Sequence, residues 1–485
     1  MKRKNIIMKS VLLAFFCFVL IPDIYSQDVT LVPTTKSKSN SDQFTDESTT
    51  RMIDFVCNLR YEDLPESTIK RAKDLIANNL SCIALGAGEP EGGMIRQYSR
   101  NFNGDEENCT ILGAIYKANT AMAAYANAAQ AQIWDANDGS VGGETRNICA
   151  HPGRLIVPVA VACAESLGAS GRDLITAVVA GYEFAGSAMN MPVSTRDLYV
   201  AAVVAGKLND FDHAAMSQAL LLAGYLSPGR NGLASPFADE YWISNGQIAR
   251  SAVEAVMLIK NGFQTVDIRT VNTMPWTMDC DKLGNQWQIL DTYIKPYPCC
   301  RNIHAAVDLA LLLSKQNNLR GSEISRIDIT KSKGFYVGKE RLDATSTRTR
   351  AQFNIYHCVA SAILFGKLDQ RDFSKASIAN AEVRKLSDKV FLYQKPKEKL
   401  SPGLPSGYTT MVITTNDGKR IEGALKHASG DPESPLSVEE MRKLCMDRFR
   451  ILLSDKQSRR LYKAIQMLEG YDNITEFTKL LSVAK

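Results

Sequence analysis

The segment that most restricts the fold is NTAMAAYANAAQAQIW, residues 119–134, because nearly all of its side chains are small. Its composition is typical of a helix. Small side chains let neighbouring backbones approach closely, so we expect this helix to lie deep inside a bundle of helices. The chain has 485 residues, more than one hydrophobic core ordinarily holds, and we therefore expect two domains.

Helical patterns continue on both sides of this segment. Residues 64–88 begin a helix after Pro65 and are predicted to end it at Gly86. Residues 151–189 predict two helices, with Ser170 and Asp173 spaced as in a capping box at the start of the second. Residues 212–227 and 245–263 continue the series. We therefore assign residues 49–265 to the first part of a large all-helical domain.

The pattern changes near Val266. Residues 323–338 alternate like a strand, and residues 406–430 predict a hairpin whose turn is Asn416-Asp417-Gly418. Helical patterns return after residue 431. The sequence therefore predicts a mainly α protein, with a smaller α+β domain at residues 266–431. Residues 432–485 are the expected C-terminal part of the helical domain.

The N-terminus has the features of a secretory signal peptide. A basic stretch, residues 1–10, precedes an apolar run that is too short to span a bilayer, and Ser26 is a suitable cleavage position. We expect residues 1–26 to be removed and the mature protein to be periplasmic or secreted, with no membrane segment left. Residues 27–48 are rich in Ser and Thr and predict a flexible linker.

Charge gives little indication of a macromolecular partner. The chain has 57 basic and 52 acidic side chains, and residues 1–26 hold four basic and one acidic side chain. The mature chain is therefore close to neutral, which argues against binding to nucleic acid. The cysteines are scattered, and several lie in apolar stretches, as Cys82, Cys163 and Cys358 do. This placement favours buried thiols over a disulfide framework or a zinc site with CxxC spacing.

Four stretches, in the same order and spacing, resemble the MmgE/PrpD family. They are AHPGRLIVPVAVACAESLGASGRDLITAVVAGYE, KPYPCCRNIHAAVDLAL, AQFNIYHCVASAILFGKL and GDPESPLSVEEMRKLC. The family includes 2-methylcitrate dehydratase, cis-aconitate decarboxylase and iminodisuccinate epimerase, and the resemblance extends from about Ile53 to about Leu481. It implies a large all-helical domain, a smaller α+β lid domain, a site between them and a homodimer.

The resemblance implies site residues at the end of the small-residue helix, residues 119–134, and at the start of the helical segment 151–189. Asp135 matches a family aspartate that lines the site, although Ala136, Asn137 and Asp138 replace the aspartate and histidine that usually follow. His151 matches the family's site histidine. A histidine at a helix N-terminus can bind a carboxylate or transfer a proton, but it can equally serve as a cap. Arg154 is a plausible carboxylate clamp.

The stretch IKPYPCCRNIHAAVDLALLL, residues 294–313, is open to several interpretations. Lys295 matches a family lysine that reaches the substrate, and Cys300 and His304 follow it. Zinc binding would need a further ligand, and a vicinal disulfide would be strained. We expect Lys295 and His304 to supply positive charge or a proton, with Cys300 beside the substrate. The alternative is a helix start in which His304 is only a cap and Lys295 is exposed.

His357 stands where the family commonly has a tyrosine that contacts substrate. It could replace that phenol as a proton donor or be an ordinary core histidine. Two cationic groups of the family are missing: a histidine expected within residues 189–208, and a lysine before the helix at residues 245–263. The substrate could therefore carry fewer carboxylates than a tricarboxylate, or catalysis could have been lost.

The expected function is that of a cofactor-independent lyase, a hydro-lyase similar to 2-methylcitrate dehydratase, that acts on a small carboxylate. A base removes a proton beside a carboxylate or carbonyl, and cationic groups stabilise the resulting charge. Decarboxylation, epimerisation of a sugar acid or polycarboxylate, and carboxylate binding without catalysis are the alternatives. We predict Asp135, His151 and His357 as catalytic residues, and Arg154, Lys295, Cys300 and His304 as substrate-binding residues, with neither metal nor cofactor.

Overall fold

The computed structural model describes residues 45–102, 108–140, 151–189, 191, 193–226, 240–265, 277–331, 340–394 and 407–482. The predicted signal peptide and most of the predicted linker lie outside these residues, as does the boundary predicted near Val266. Helices predominate, so the predicted mainly α class is confirmed. In the described part of the chain, no helix has the length and apolarity needed to cross a bilayer.

The described helices fall into two series along the chain, a first series within residues 45–260 and a second series within residues 304–478. They are α1 Thr45–Asn58, α2 Glu66–Ala87, α3 Pro90–Arg100, α4 Thr120–Gln132, α5 Gly153–Leu167, α6 Gly171–Ser187, α7 Val193–Leu208, α8 His213–Leu226, α9 Glu240–Lys260, α10 His304–Gln316, α11 Arg348–Gln352, α12 Ile355–Phe365, α13 Lys375–Ala379, α14 Ala381–Ser387, α15 Val438–Phe449, α16 Asp455–Gln466 and α17 Thr475–Thr478.

The small-residue helix α4 lies at the centre of the first series. It packs against α2, α5 and α9, and Ala121–Gln132 are buried. Asn119 caps it by accepting a hydrogen bond from the Met122 amide at 2.9 Å. The predicted position in the bundle interior is therefore confirmed. The approach to α2 is close, because a Cβ on Gly86 would lie 2.0 Å from the carbonyl oxygen of Gln130.

Two boundaries differ from the prediction. Gly86 does not end its helix, since α2 continues to Ala87 and Gly88 is the C-cap. The glycine is needed there for the contact with α4, a reason that the sequence pattern of α2 alone does not show. Helix α1 begins at Thr45, inside the segment predicted as a flexible linker. The predicted capping box of Ser170 and Asp173 is present at the start of α6.

A four-stranded sheet lies between α10 and α15 in the sequence. Its strands are β7 Ile324–Lys331, β8 Val390–Gln394, β9 Thr409–Thr415 and β10 Arg420–Leu425. Their order in the sheet is β10-β9-β7-β8, with β7 parallel to β8 and the other neighbours antiparallel. The predicted hairpin is confirmed, and Gly418 at its turn has a φ of +85°, which glycine adopts without strain. Helix α10 packs on this sheet.

Among the described residues, six further strands of two residues each form three antiparallel pairs, which the sequence pattern did not predict. They are β1 Cys109–Thr110 with β2 Lys117–Ala118, β3 Gly139–Ser140 with β6 Thr292–Tyr293, and β4 Ala188–Met189 with β5 Thr277–Met278. The described residues belong to one compact unit, Gln43–Lys485. The division into a helical domain and an α+β lid stays a prediction.

Candidate active site

The pairing of β3 with β6 joins two distant segments of the chain. Gly139 lies opposite Tyr293, and Ser140 lies opposite Thr292. The turn before β3 carries Asp135, and the segment after β6 carries Lys295. The antiparallel direction therefore brings together the two groups that the sequence predicted for one site.

Asp135 and Lys295 form a buried ion pair. The Lys295 ammonium donates to Oδ1 of Asp135 at 2.8 Å and to its backbone carbonyl at 3.2 Å. Lys295 has no exposed surface, and Asp135 is 5% exposed. Burial raises the pKa of the Asp135 carboxyl, but Lys295 and the other cationic groups outweigh it, so that the pKa is lowered overall. The Asp135 carboxyl is therefore ionised at neutral pH.

The C-terminal helices fix the backbone at Lys295. Arg448 on α15 donates to the Lys295 carbonyl at 2.8 Å and to Oδ1 of Asn78 on α2 at 3.1 Å. The Ile294 amide donates to the Gly430 carbonyl at 3.0 Å, and a Cβ on Gly430 would lie 1.9 Å from the Ile294 carbonyl oxygen. Arg448 was not predicted, because no local pattern relates it to Lys295 153 residues away.

His151 lies just before α5 and is partly exposed. Its Nδ1 lies 2.8 Å from the backbone carbonyl of Asp138, and the Tyr293 hydroxyl lies 3.5 Å from the same nitrogen. Because a carbonyl only accepts, Nδ1 carries the proton, and in the neutral ring the lone pair is on Nε2. Burial and the positive charges of Lys295 and Arg154 lower the pKa of His151 to about 3, against the opposing effect of Asp135.

Asp138 orients this histidine and is itself held by two helices. Its carboxylate accepts hydrogen bonds from Asn79 on α2 at 2.7 Å and from the Tyr182 hydroxyl on α6 at 2.8 Å. Burial raises the pKa of Asp138. A Cβ on Gly153 would lie 2.2 Å from the Asp138 carboxylate, so glycine is required there. The sequence showed Asp138 only as a departure from the family pattern, since its partners lie far away in the chain.

Two family models match the chain over most of its length. The MmgE/PrpD N-terminal domain matches residues 50–275, and the MmgE/PrpD C-terminal domain matches residues 297–469. The chain belongs to the MmgE/PrpD family. The resemblance noted in the sequence is thus confirmed. Asp135 and His151 lie within the N-terminal match, and Lys295 lies two residues before the C-terminal match.

Curated relatives of this MmgE/PrpD protein include fungal enzymes. The chain is 22% identical over 478 residues to a "Cis-aconitate decarboxylase-like protein oryM" of Aspergillus oryzae, covering 90% of the chain and 97% of that protein. It is 22% identical over 484 residues to a "Cis-aconitate decarboxylase" of Aspergillus terreus, covering 90% of the chain and 95% of that protein. Family and relatives support a lyase-type enzyme without specifying the reaction.

Arg154, the predicted carboxylate clamp, is engaged inside the protein. Its guanidinium donates to Oδ2 of Asp197 at 2.7 Å and to Oε1 of Gln132 at 3.1 Å, and it has no exposed surface. Its charge still acts on His151. A substrate carboxylate would have to share or displace Asp197 to bind it, so the role of clamp stays a prediction.

His304 and Cys300 make contacts typical of a helix start. Nε2 of His304, the first residue of α10, donates to the Cys299 carbonyl at 3.1 Å, and its ring centroid lies 5.2 Å from that of Tyr297. Burial lowers the pKa of His304 well below its ordinary value, so it is neutral and supplies no charge. The Cys300 amide donates to the Gln352 carbonyl at 2.9 Å. Their contact with substrate stays a prediction.

His357 lies in the core of the second series of helices. Its Nε2 donates to the Asp372 carbonyl at 2.8 Å, and its ring lies 5.8 Å from that of Phe373. Phe373 in turn lies 6.2 Å from Trp134, the neighbour of Asp135. The structure therefore connects His357 to the Asp135 turn through two aromatic rings. These contacts are those of the core histidine that the sequence left as the alternative to a proton donor.

A possible cation site lies outside the predicted residues. In the described part of the chain, one group of three potential ligands is found, namely His427, Asp431 and Glu433. Asp431 forms an ion pair with Arg301 and accepts a hydrogen bond from the Ala428 amide at 2.9 Å. The guanidinium would repel a cation, so the donor set is poorly suited to a metal.

The described cysteines form no disulfide.

Proposed function

We propose that this protein is a lyase that acts on a small carboxylate by moving a proton beside a carboxylate or carbonyl group, with His151 as the base. The observation that carries the proposal is the fixed imidazole. Its Nδ1 proton is held by the Asp138 carbonyl, which leaves Nε2 with the lone pair, next to a buried ammonium–carboxylate pair.

The charges around His151 suit an anionic substrate. Lys295 and Arg154 depress the pKa of the imidazole when no anion is bound. A substrate carboxylate beside the ring would favour the imidazolium and raise that pKa towards neutrality, where general base catalysis is more effective. Lys295 could then stabilise the negative charge that develops when the proton leaves carbon. No step of this reaction requires a redox cofactor or a metal.

Dehydration and decarboxylation of the substrate differ in the bond that breaks. We infer that a hydro-lyase reaction is the first candidate. After proton removal from carbon, an acid gives a proton to the hydroxyl group, the carbon–oxygen bond breaks, and water leaves. Decarboxylation is the second candidate, because the relatives are named cis-aconitate decarboxylases. In that reaction a carbon–carbon bond breaks, CO₂ leaves, and the remaining carbon accepts a proton.

The test is a substrate panel with matched histidine variants. The mature protein is incubated with hydroxy- and unsaturated polycarboxylates and with sugar acids, while alkene formation and CO₂ release are followed separately. His151→Gln should lose about 10²–10⁴-fold in kcat with a modest change in affinity. His213→Gln is the control, because His213 is a surface residue paired with Asp54 at 2.7 Å. Turnover in His151→Gln equal to wild type would contradict the proposal, and binding without any turnover would favour a non-catalytic carboxylate-binding protein.

A further inference from the structure

Asn137 is a buried amide that the surrounding protein leaves without partners. It has no exposed surface. Within the part of the chain that the structure describes, neither its amide nitrogen nor its amide oxygen has a hydrogen-bond partner. The indole nitrogen of Trp134, three residues earlier, is also buried and lacks a partner among the described residues. These two groups flank Asp135.

This absence is unusual for a buried side chain. Most buried polar groups in native proteins are hydrogen-bonded, because burying an unpaired amide is unfavourable. The neighbouring acidic side chains follow the rule: Asp135 accepts from Lys295, and Asp138 accepts from Asn79 and Tyr182. In this turn the unpaired polar side chains, Trp134 and Asn137, lie beside and between the site's two carboxylates, where a substrate would supply the missing partners.

The register of the strand pair relates Asn137 to Lys295. Gly139 lies opposite Tyr293 in the antiparallel pair. Asn137 lies two residues before Gly139, and Lys295 lies two residues after Tyr293, so the antiparallel pair brings both residues to the same end of the two strands. Asn137 therefore lies in the same turn as Asp135, at the end of the strand pair that carries the ion pair of Lys295 and Asp135. Like these two residues, it is buried, so surrounding side chains must move aside when a substrate binds.

We propose that Asn137 contacts the substrate and determines its specificity through both atoms of its amide. The nitrogen can donate to a carboxylate oxygen, and the oxygen can accept from a hydroxyl. A hydroxyl and a carboxylate on neighbouring positions of a hydroxycarboxylate would satisfy both atoms. An aspartate at this position could not donate and would add negative charge beside Asp135. The inference rests on the proposed function, because it assumes that a carboxylate binds beside Lys295.

Stability and binding should change in opposite directions in Asn137→Leu. Leucine has a similar size and removes two unpaired polar atoms, so the melting temperature should stay the same or rise. Affinity should fall about ten-fold, since a hydrogen bond to the ligand is lost. A merely structural asparagine would leave ligand affinity unchanged. Thr68→Val is the matched control, because the Thr68 hydroxyl is also buried without a partner among the described residues. Thr68 lies on α2 about three helical turns before Asn79, which contacts Asp138.

The ligand pair citrate and tricarballylate isolates the hydroxyl, because the two tricarboxylates differ only by that group; malate and succinate provide the same comparison for dicarboxylates. Affinities are measured by calorimetry. Wild type and Thr68→Val should prefer the hydroxy acid, and Asn137→Leu should lose the preference. Asn137→Asp should bind both acids more weakly than wild type. If Asn137→Leu does not fold, Asn137→Ala serves for the same comparison.

The outcomes separate this inference from the proposed function. A wild type that turns over or binds carboxylates, together with an Asn137→Leu protein that keeps the hydroxyl preference, overturns the role of Asn137 alone. A wild type that binds none of the four acids and converts no acid of the wider panel overturns both. Loss of the preference only in the Asn137 variants supports the assignment.

Discussion

At the scale of single residues, the buried pair of Lys295 and Asp135 is the contact whose loss should be most costly. Lys295→Met leaves the Asp135 carboxylate buried without its counter-charge and should lower the free energy of unfolding by about 3–5 kcal/mol. The double variant Lys295→Met/Asp135→Asn should recover part of this stability but no activity. Urea denaturation measures the free energy of unfolding of the single and the double variant. Lys443→Met, which breaks an exposed pair with Asp447, is the control and should cost less than about 1 kcal/mol.

The depressed pKa of His151 predicts how stability depends on pH. An unfolded histidine takes up a proton below its ordinary pKa of 6.5, whereas folded His151 does so only near its pKa of about 3. Between these values the unfolded state binds more protons, so stability falls as the pH falls, by up to about 1.4 kcal/mol per pH unit. His151→Gln should show a shallower fall in urea denaturation midpoints between pH 6.5 and 4. Parallel curves for the two proteins would contradict the assigned environment.

Sequence reasoning identified the two partners of the ion pair but not the contacts that hold them. Asp135 and Lys295 were visible because each lies in a stretch that resembles the family. The pairing of Arg448 with the Lys295 carbonyl, and of Asp138 with Tyr182, depends on residues 153 and 44 positions apart. Such contacts follow from tertiary packing, which no local period encodes. Arg154 was predicted to bind a substrate carboxylate, but the sequence did not reveal that Asp197, a buried residue, is its partner.

At the scale of secondary-structure elements, the long periodic helices and the hairpin were predictable, and the two-residue strands were not. Strand β3 is too short to show alternation, yet its pairing with β6 assembles the site. The end of α2 was misjudged at Gly86 for a similar reason. Gly86 packs against the carbonyl of Gln130 on a different helix, so the need for glycine there arises from packing between helices and not from a helix end.

Helix α11 contacts the start of α3 through one arginine. Arg348 donates to Glu89 at 2.9 Å and to Glu91 at 3.0 Å, and its guanidinium lies 4.9 Å from the ring centre of Trp134, next to Asp135. Arg348→Met removes both charged hydrogen bonds and should lower the free energy of unfolding by about 2 kcal/mol. Arg350→Met, which breaks the exposed pair with Glu340, should change it by less than about 1 kcal/mol. Equal effects of the two substitutions in urea denaturation would contradict a special role for Arg348.

At the scale of the whole molecule, we propose that the protein is exported and that it acts as a homodimer on a small carboxylate. The basic and apolar segments within residues 1–26 predict a mature N-terminus near Gln27. Mass spectrometry of the purified native protein should find that N-terminus in a periplasmic or secreted fraction. An intact Met1 on protein from the cytosol would contradict export.

The central claim is that His151 moves a proton at a carbon beside a carboxylate, and deuterium exchange tests it most directly. Decarboxylation, epimerisation and reversible dehydration all place a solvent-derived proton on that carbon. With an acid that the protein converts in D₂O, NMR should show deuterium at this carbon in substrate or product for wild type and for His213→Gln. His151→Gln should show none above the uncatalysed level. Deuterium incorporation by His151→Gln at the wild-type rate would contradict the account.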